Sequence, residues 1–250
     1  MAKQSGIIPL EGTIGNLTFY KSTDGYLARE KGGVDANRIK TDASFQRTRE
    51  NNAEFAYAGK AGKLLRNAFN TITKQAADKR MTSRLLKHIR AAMKEDATHV
   101  RGERSLVTAN ITDLLGFEFN KLAPLEGIYT GMYAVDIDRP SGVVSIELES
   151  LVPASEVMYP SGATHFRLVA AAALLDFENG LRTVSAIQSD TIAITNESTI
   201  IDPLPIVIAA NSTLPLFVVL GIEFYQELRG VSYALYSGSS NAVKIVAVRV

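Results

Sequence analysis

Three histidines, two pairs of carboxylates and one glycine–lysine run are the residues whose types and spacing invite a chemical reading. His88, His99 and His165 are the whole histidine complement. None stands at i, i+4 from a second histidine, so a metal centre or a Ser–His–Asp triad would have to be assembled by the fold alone. Asp136 with Asp138, and Glu147 with Glu149, are i, i+2 pairs that a strand places on one face. Such pairs can do acid–base work or hold a calcium ion, and Asp136-Ile137-Asp138 followed by Glu147 echoes a calcium loop. Pro140 stands where the third ligand belongs and Ser141 where the central glycine belongs. A solvated hairpin face is therefore the expectation. Gly59-Lys60-Ala61-Gly62-Lys63 invites comparison with a phosphate loop. It fails, because Tyr57 replaces the first glycine and Leu64 the hydroxyl residue that would hold magnesium. No catalytic residue, metal site or cofactor is expected, and the chain reads as a non-enzyme.

The stronger signal is electrostatic. Residues 1–105 carry 20 lysines and arginines against 11 acids, and residues 106–250 carry 7 against 15, so a chain of net charge +1 is strongly polar end to end. Such a split points to head-to-tail self-association or to contact with a polyanion. Lys60, Lys63, Arg66, Arg84 and Lys87 are the candidate contacts for nucleic-acid phosphates. Neither a helix-turn-helix nor an RNA-recognition signature accompanies them, and Glu50, Glu54, Asp78, Glu95 and Asp96 interrupt the run.

The elements that must position these groups fall into three expected parts. Residues 1–40 read as an extended arm with a β-hairpin, Ile14, Leu17, Phe19 and Tyr20 going out, Asp24-Gly25 turning, and Tyr26-Leu27 returning. Its apolar content is too thin for an independent core, and a lone hairpin is marginal in water. Residues 41–105 read as a basic two-helix segment. Asp42 is the expected N-cap of a helix running to about Thr73, and a second, amphipathic helix spans Met81 to Lys94. Small residues from Ala53 to Gly62 imply close approach of another backbone, within the chain or from a neighbouring subunit. Residues 106–250 read as strands at 115–120, 129–137, 142–149, 164–173, 182–189, 191–195, 204–210, 215–225, 231–236 and 242–249. Turn residues separate them, including Ser237-Gly238-Ser239. The expected fold class is α+β, mainly β, with an antiparallel β-sandwich of jelly-roll or immunoglobulin-like type.

Composition narrows the function classes further. Absence of cysteine excludes disulfides, thiolate chemistry and cysteine-held metals. Absence of tryptophan removes the usual stacking platform of a carbohydrate-binding module. The apolar runs Leu168 to Leu175 and Leu214 to Ile222 are far short of a membrane span, so no membrane insertion is expected. No signal peptide is visible, and cytoplasmic synthesis is the expectation, with a virion or an extracellular assembly as destination.

Ala2-Lys3-Gln4-Ser5-Gly6, the stretch from Gly12 to Lys21 and that from Asp24 to Gly33 carry a resemblance. So do Phe45 to Asn51, Ala58 to Arg66, Asp176-Phe177-Glu178-Asn179 and Phe224-Tyr225-Gln226. They resemble a family of uncharacterised proteins encoded by Bacteroidota, their phages and mobile elements. The resemblance implies a bacterial or phage origin and brings no activity and no catalytic residue with it.

The expected function is a structural, self-assembling subunit of capsid, tube or filament type, a homo-oligomer or polymer held by arm exchange and charge complementarity. Ile14, Leu17, Phe19, Tyr20, Tyr26, Leu27, Ala58, Gly59 and Gly62 are the candidate subunit contacts. The alternatives are a nucleic-acid-associated protein using the basic helices and a ligand-binding β-sandwich module.

Overall fold

The computed structural model describes residues 2–6, 8–30, 32–235 and 240–250. The chain divides into two compact units, Met1–Glu50 and Asn51–Val250.

In the first unit, strands β1 (Ala2–Lys3), β2 (Gly12–Ile14), β3 (Leu17–Ser22) and β4 (Gly25–Glu30) form an antiparallel sheet in the order β1-β4-β3-β2. The expected hairpin is β3–β4, and Gly25 supplies the positive φ, +104°, where the chain re-enters the sheet. A second hairpin, β2–β3, turns at Gly15-Asn16 with Gly15 at φ +57°. Gln4 ties the start of the chain down, its amide donating to the carbonyls of Leu10 and Leu27. Helix α1 (Ala36–Thr41) follows, capped by Asp35, whose carboxylate accepts from the N–H groups of Asn37 and Arg38. The sequence reading placed no helix there. Asp42 does cap, but it caps the 3₁₀ turn Ala43–Phe45 through Ser44.

Helix α2 spans Gln46–Ala68, α3 Asn70–Thr73 and α4 Met81–Lys94. The expected single helix to Thr73 is thus broken at Phe69, whose φ of −105° and ψ of +14° leave the α region. Phe69 is wholly buried and packs edge-on against Phe119, 6.3 Å between ring centroids, so the kink aims an aromatic ring inward. Helix α4 matches its expected span, burying Met81, Leu85, Ile89, Ala92 and Met93 along one stripe.

The remaining strands are β5 (Tyr133–Asp138), β6 (Val143–Leu148), β7 (His165–Asp176), β8 (Leu181–Gln188), β9 (Ile192–Ala193), β10 (Leu204–Val207), β11 (Leu216–Leu228), β12 (Val231–Leu235) and β13 (Ala242–Arg249). A six-stranded sheet runs β12-β11-β7-β8, with β13 also on β11 and β9 also on β7. A three-stranded sheet runs β10-β6-β5. All of these pairings are antiparallel.

Parity along β7 explains how the layers stack. Val169, Ala171, Ala173 and Leu175 join a core with the helices, while Phe166, Leu168, Ala170, Ala172 and Leu174 join a core with Val144, Ile146, Leu204 and Ile206 of the small sheet. The middle of the large sheet, β7, β13 and the first half of β11, is therefore buried on both faces, and the second unit is a β-sandwich with helices over the outer side of its large sheet. This is why β7 and the first half of β11 read as continuous apolar runs instead of alternating ones. β13 carries a bulge opposite Val218/Val219, where the register steps from Ala247 to Ile245.

Two expected strands change character. Residues 116–119 pair with β13 through Gly116 N–H to Ile245 O, Ile245 N–H to Phe117 O and Phe119 N–H to Val243 O, yet only one bridge, Glu118 to Lys244, is regular. The 3₁₀ turn Ile111–Leu114 stands just before them. The strand expected from Tyr129 begins at Tyr133, because Leu125–Ile128 forms one helical turn and Tyr129 bridges to Val157. Tyr236 and the turn Ser237-Gly238-Ser239 lie outside the described residues.

Candidate interaction site

In the first unit, the register places Ile14, Leu17, Phe19 and Tyr26 on one face of the four-stranded sheet, beside Ala28 and Ala2. Tyr20 and Leu27, paired with each other, lie on the opposite face. Each tyrosine carries a cation: the Lys21 ammonium sits 5.5 Å from the Tyr26 ring and the Arg29 guanidinium 5.5 Å from the Tyr20 ring. No described residue of this unit is buried, and Ile14 is 66% exposed. Six candidate contacts thus divide four and two between the faces, with Lys21 beside Tyr26 on the first and Arg29 beside Tyr20 on the second.

The small-residue cluster of α2 divides differently. Ala58, Ala61 and Gly62 are buried inside the same unit, and a Cβ on Gly62 would meet Ile89 Cδ1 of α4 at 3.3 Å. This corrects the reading of Ala58 and Gly62 as subunit contacts: both are buried within the unit, and at Gly62 the missing side chain makes room for α4. Gly59 faces solvent with nothing within 4 Å of the position of a Cβ.

The candidate phosphate contacts do not form one surface. Arg84 is committed internally, to the Asp78 carboxylate and the carbonyls of Glu118 and Phe119, with its guanidinium over the Phe117 ring. Arg66 donates to Thr82 Oγ1 at 2.7 Å. Lys60 and Lys63 are exposed and line a cavity of about 450 Å³ with Asn67, Glu178 and Arg182. Lys87 belongs to a separate groove of about 370 Å³ between α2 and α4, lined by Phe55, Ser83, Leu86, Arg90, Ala91 and Lys94. Arg90 donates to Asn51 and lies over the Phe55 ring.

On the small sheet, Ala134, Asp136 and Asp138 of β5 share the outward face with Val143, Ser145 and Glu147 of β6 and with Pro205 and Val207 of β10. Three carboxylates therefore share a face with the exposed Val143 and Val207, Asp138 directly beside Val143, and no cation stands among these residues. No group of residues able to hold a metal occurs among the described ones.

The histidines take separate places. His88 packs edge-on against Phe117. His165 Nε2 lies 3.4 Å from Glu227, and its Nδ1 is 2.9 Å from Thr164 Oγ1. His99 Nδ1 lies 2.9 Å from Asp96. Asp96 is buried and also accepts from the N–H groups of Thr98, His99 and Ser105 and from the Thr98 hydroxyl. Burial disfavours its charge, but these donors outweigh that penalty and hold the carboxyl far below the usual carboxylate range. Every acceptor direction points into its own loop, so the group organises residues 96–105.

The sequence reading missed one cluster, Glu118, Glu126 and Lys244. Lys244 on β13 reaches the Glu126 carboxylate, and Glu118 Oε1 accepts from Leu125 N–H at 3.1 Å. Glu118 Oε2 is buried with no hydrogen-bond partner among the described residues. Burial pushes the Glu118 carboxyl up to about 7 against the pull of the Leu125 N–H and of Lys244, and Glu126 adds to the rise. Lys244 stands 118 residues after Glu126, and the pairing of residues 116–119 with β13 brings it to the two glutamates.

No helix among the described residues is long and apolar enough to cross a membrane. Compared with protein-family models, curated proteins and solved structures, the chain matches none.

Proposed function

We propose that the chain is a structural, self-assembling subunit, of capsid, tube or filament type, in which the N-terminal sheet of one copy lies on another. The observation that carries this reading is a sheet of four short strands with no buried residue and with Ile14, Leu17, Phe19 and Tyr26 gathered on one face. A sheet of short strands is stable only with an apolar face to bury, this one buries none of its described residues within the chain, and arm exchange adds weak contacts into a stable lattice. Removing residues 1–40 leaves both hydrophobic cores of the second unit in place. The truncated protein is expected to fold and to stay small by light scattering where the full-length chain assembles. Equal assembly of the two overturns the reading.

A second reading, nucleic-acid association, is favoured by the cavity where Lys60, Lys63 and Arg182 meet a single acid, Glu178. Binding of an oligonucleotide would then weaken steeply with salt and vanish in a Lys60→Glu, Lys63→Glu variant. No binding at low salt removes it.

A further inference from the structure

Resting on the self-assembly reading, we propose that the second unit carries two unlike faces through which successive copies meet head to tail. One is the basic groove between α2 and α4; the other is the acidic outer face of the β10-β6-β5 sheet. The helices cover one side of the six-stranded sheet and the small sheet covers the other, so the outward surfaces of these two layers point in opposite directions.

The two faces match in chemistry. Lys87, Arg90 and Lys94 rise around Phe55, which is 50% exposed, and no carboxylate lines their groove. On the other side, Val143 and Val207 pair at one end of the sheet face, the latter 67% exposed, with Asp138 beside Val143 and with Asp136 and Glu147 farther along the same face. Each face thus combines exposed apolar side chains with charges of a single sign. Arg90 is already held by Asn51 and the Phe55 ring, so little of its freedom remains to be lost on contact. Exposed ion pairs are individually weak, so the charges select the partner face and its register, while the exposed apolar side chains supply the attraction. A two-fold contact would set groove against groove or sheet against sheet, and like charges would oppose each other. The permitted contact is heterologous, and it gives a ring if the rotation closes and a filament if it does not.

The test uses the full chain in two exposed double variants, Lys87→Glu with Lys94→Glu, and Asp136→Lys with Glu147→Lys. Each alone is expected to remain small by light scattering at a concentration where the parent chain assembles, with an unchanged unfolding midpoint. An equimolar mixture is expected to regain assembly, because the first variant then presents two acidic faces and the second two basic ones. Assembly of either variant alone at the parent level overturns the pairing, as does a mixture that stays as small as its components. Loss of oligonucleotide binding in the lysine variant with normal assembly assigns the groove to nucleic acid, and also overturns it. A parent chain that never assembles overturns the self-assembly reading itself. Assembly that ignores both reversals yet is lost on removing residues 1–40 overturns only the pairing of faces.

Discussion

Ile89 Cδ1 occupies the space beside Gly62, 3.3 Å from where a Cβ on that glycine would stand, so α2 and α4 meet through a position without a side chain. Gly59, one turn earlier, has nothing within 4 Å of the same position. The two glycines should therefore respond with opposite sign. Gly62→Val forces volume into a packed interface and is expected to lower stability by about 2 kcal/mol. Gly59→Ala removes only the helix penalty of glycine and is expected to raise stability by up to about 1 kcal/mol. Urea unfolding of both variants, read by circular dichroism, checks the pair.

Glu118 makes stability depend on pH near neutrality. Its carboxyl is raised from 4.5 to about 7 in the folded chain, so between those values the folded state holds a proton that the unfolded state has released. Stability should then fall as pH rises from about 4.5 through 7 and level off above, the opposite of the usual carboxylate behaviour. In Glu118→Gln, which keeps an acceptor for Leu125 N–H, that slope should flatten. Unfolding midpoints at several pH values, compared between the two proteins, read the difference directly.

Asp96 works in the other direction. Its carboxyl is depressed, so its contribution is full above the unfolded carboxylate value near 4 and drains away as pH falls below it. Asp96→Ala strands the N–H groups of Thr98, His99 and Ser105. The variant is expected to melt at lower temperature than the parent at neutral pH, with the gap narrowing in acid. Faster hydrogen exchange confined to residues 96–105 would mark the loop as the place of the loss.

How much of this was legible beforehand varies with the range of the interactions. Helix α4 was readable to its ends because its apolar stripe is local, at i, i+3 and i+4. The strands of both sheets were readable because glycine, proline and asparagine punctuate them. The break at Phe69 was not, since it is set by Phe119 fifty residues away. Nor was the commitment of Arg84, which depends on carbonyls of a segment that itself leans on β13. Ala58 and Gly62 announced a close approach, yet α2 alone could not say that its partner was α4 of the same chain. The Glu118, Glu126 and Lys244 cluster left no local trace at all, because neither spacing nor motif links its three positions.

The run Ala170 to Ala173 has one last consequence. Its methyl groups point alternately into the helical core and into the core under the small sheet, so a single strand is the common wall of both. Neither compartment can open without stripping one side of that wall. Residues 51–250 should therefore melt in one step, with calorimetric and van't Hoff enthalpies in agreement, despite containing two separate apolar interiors.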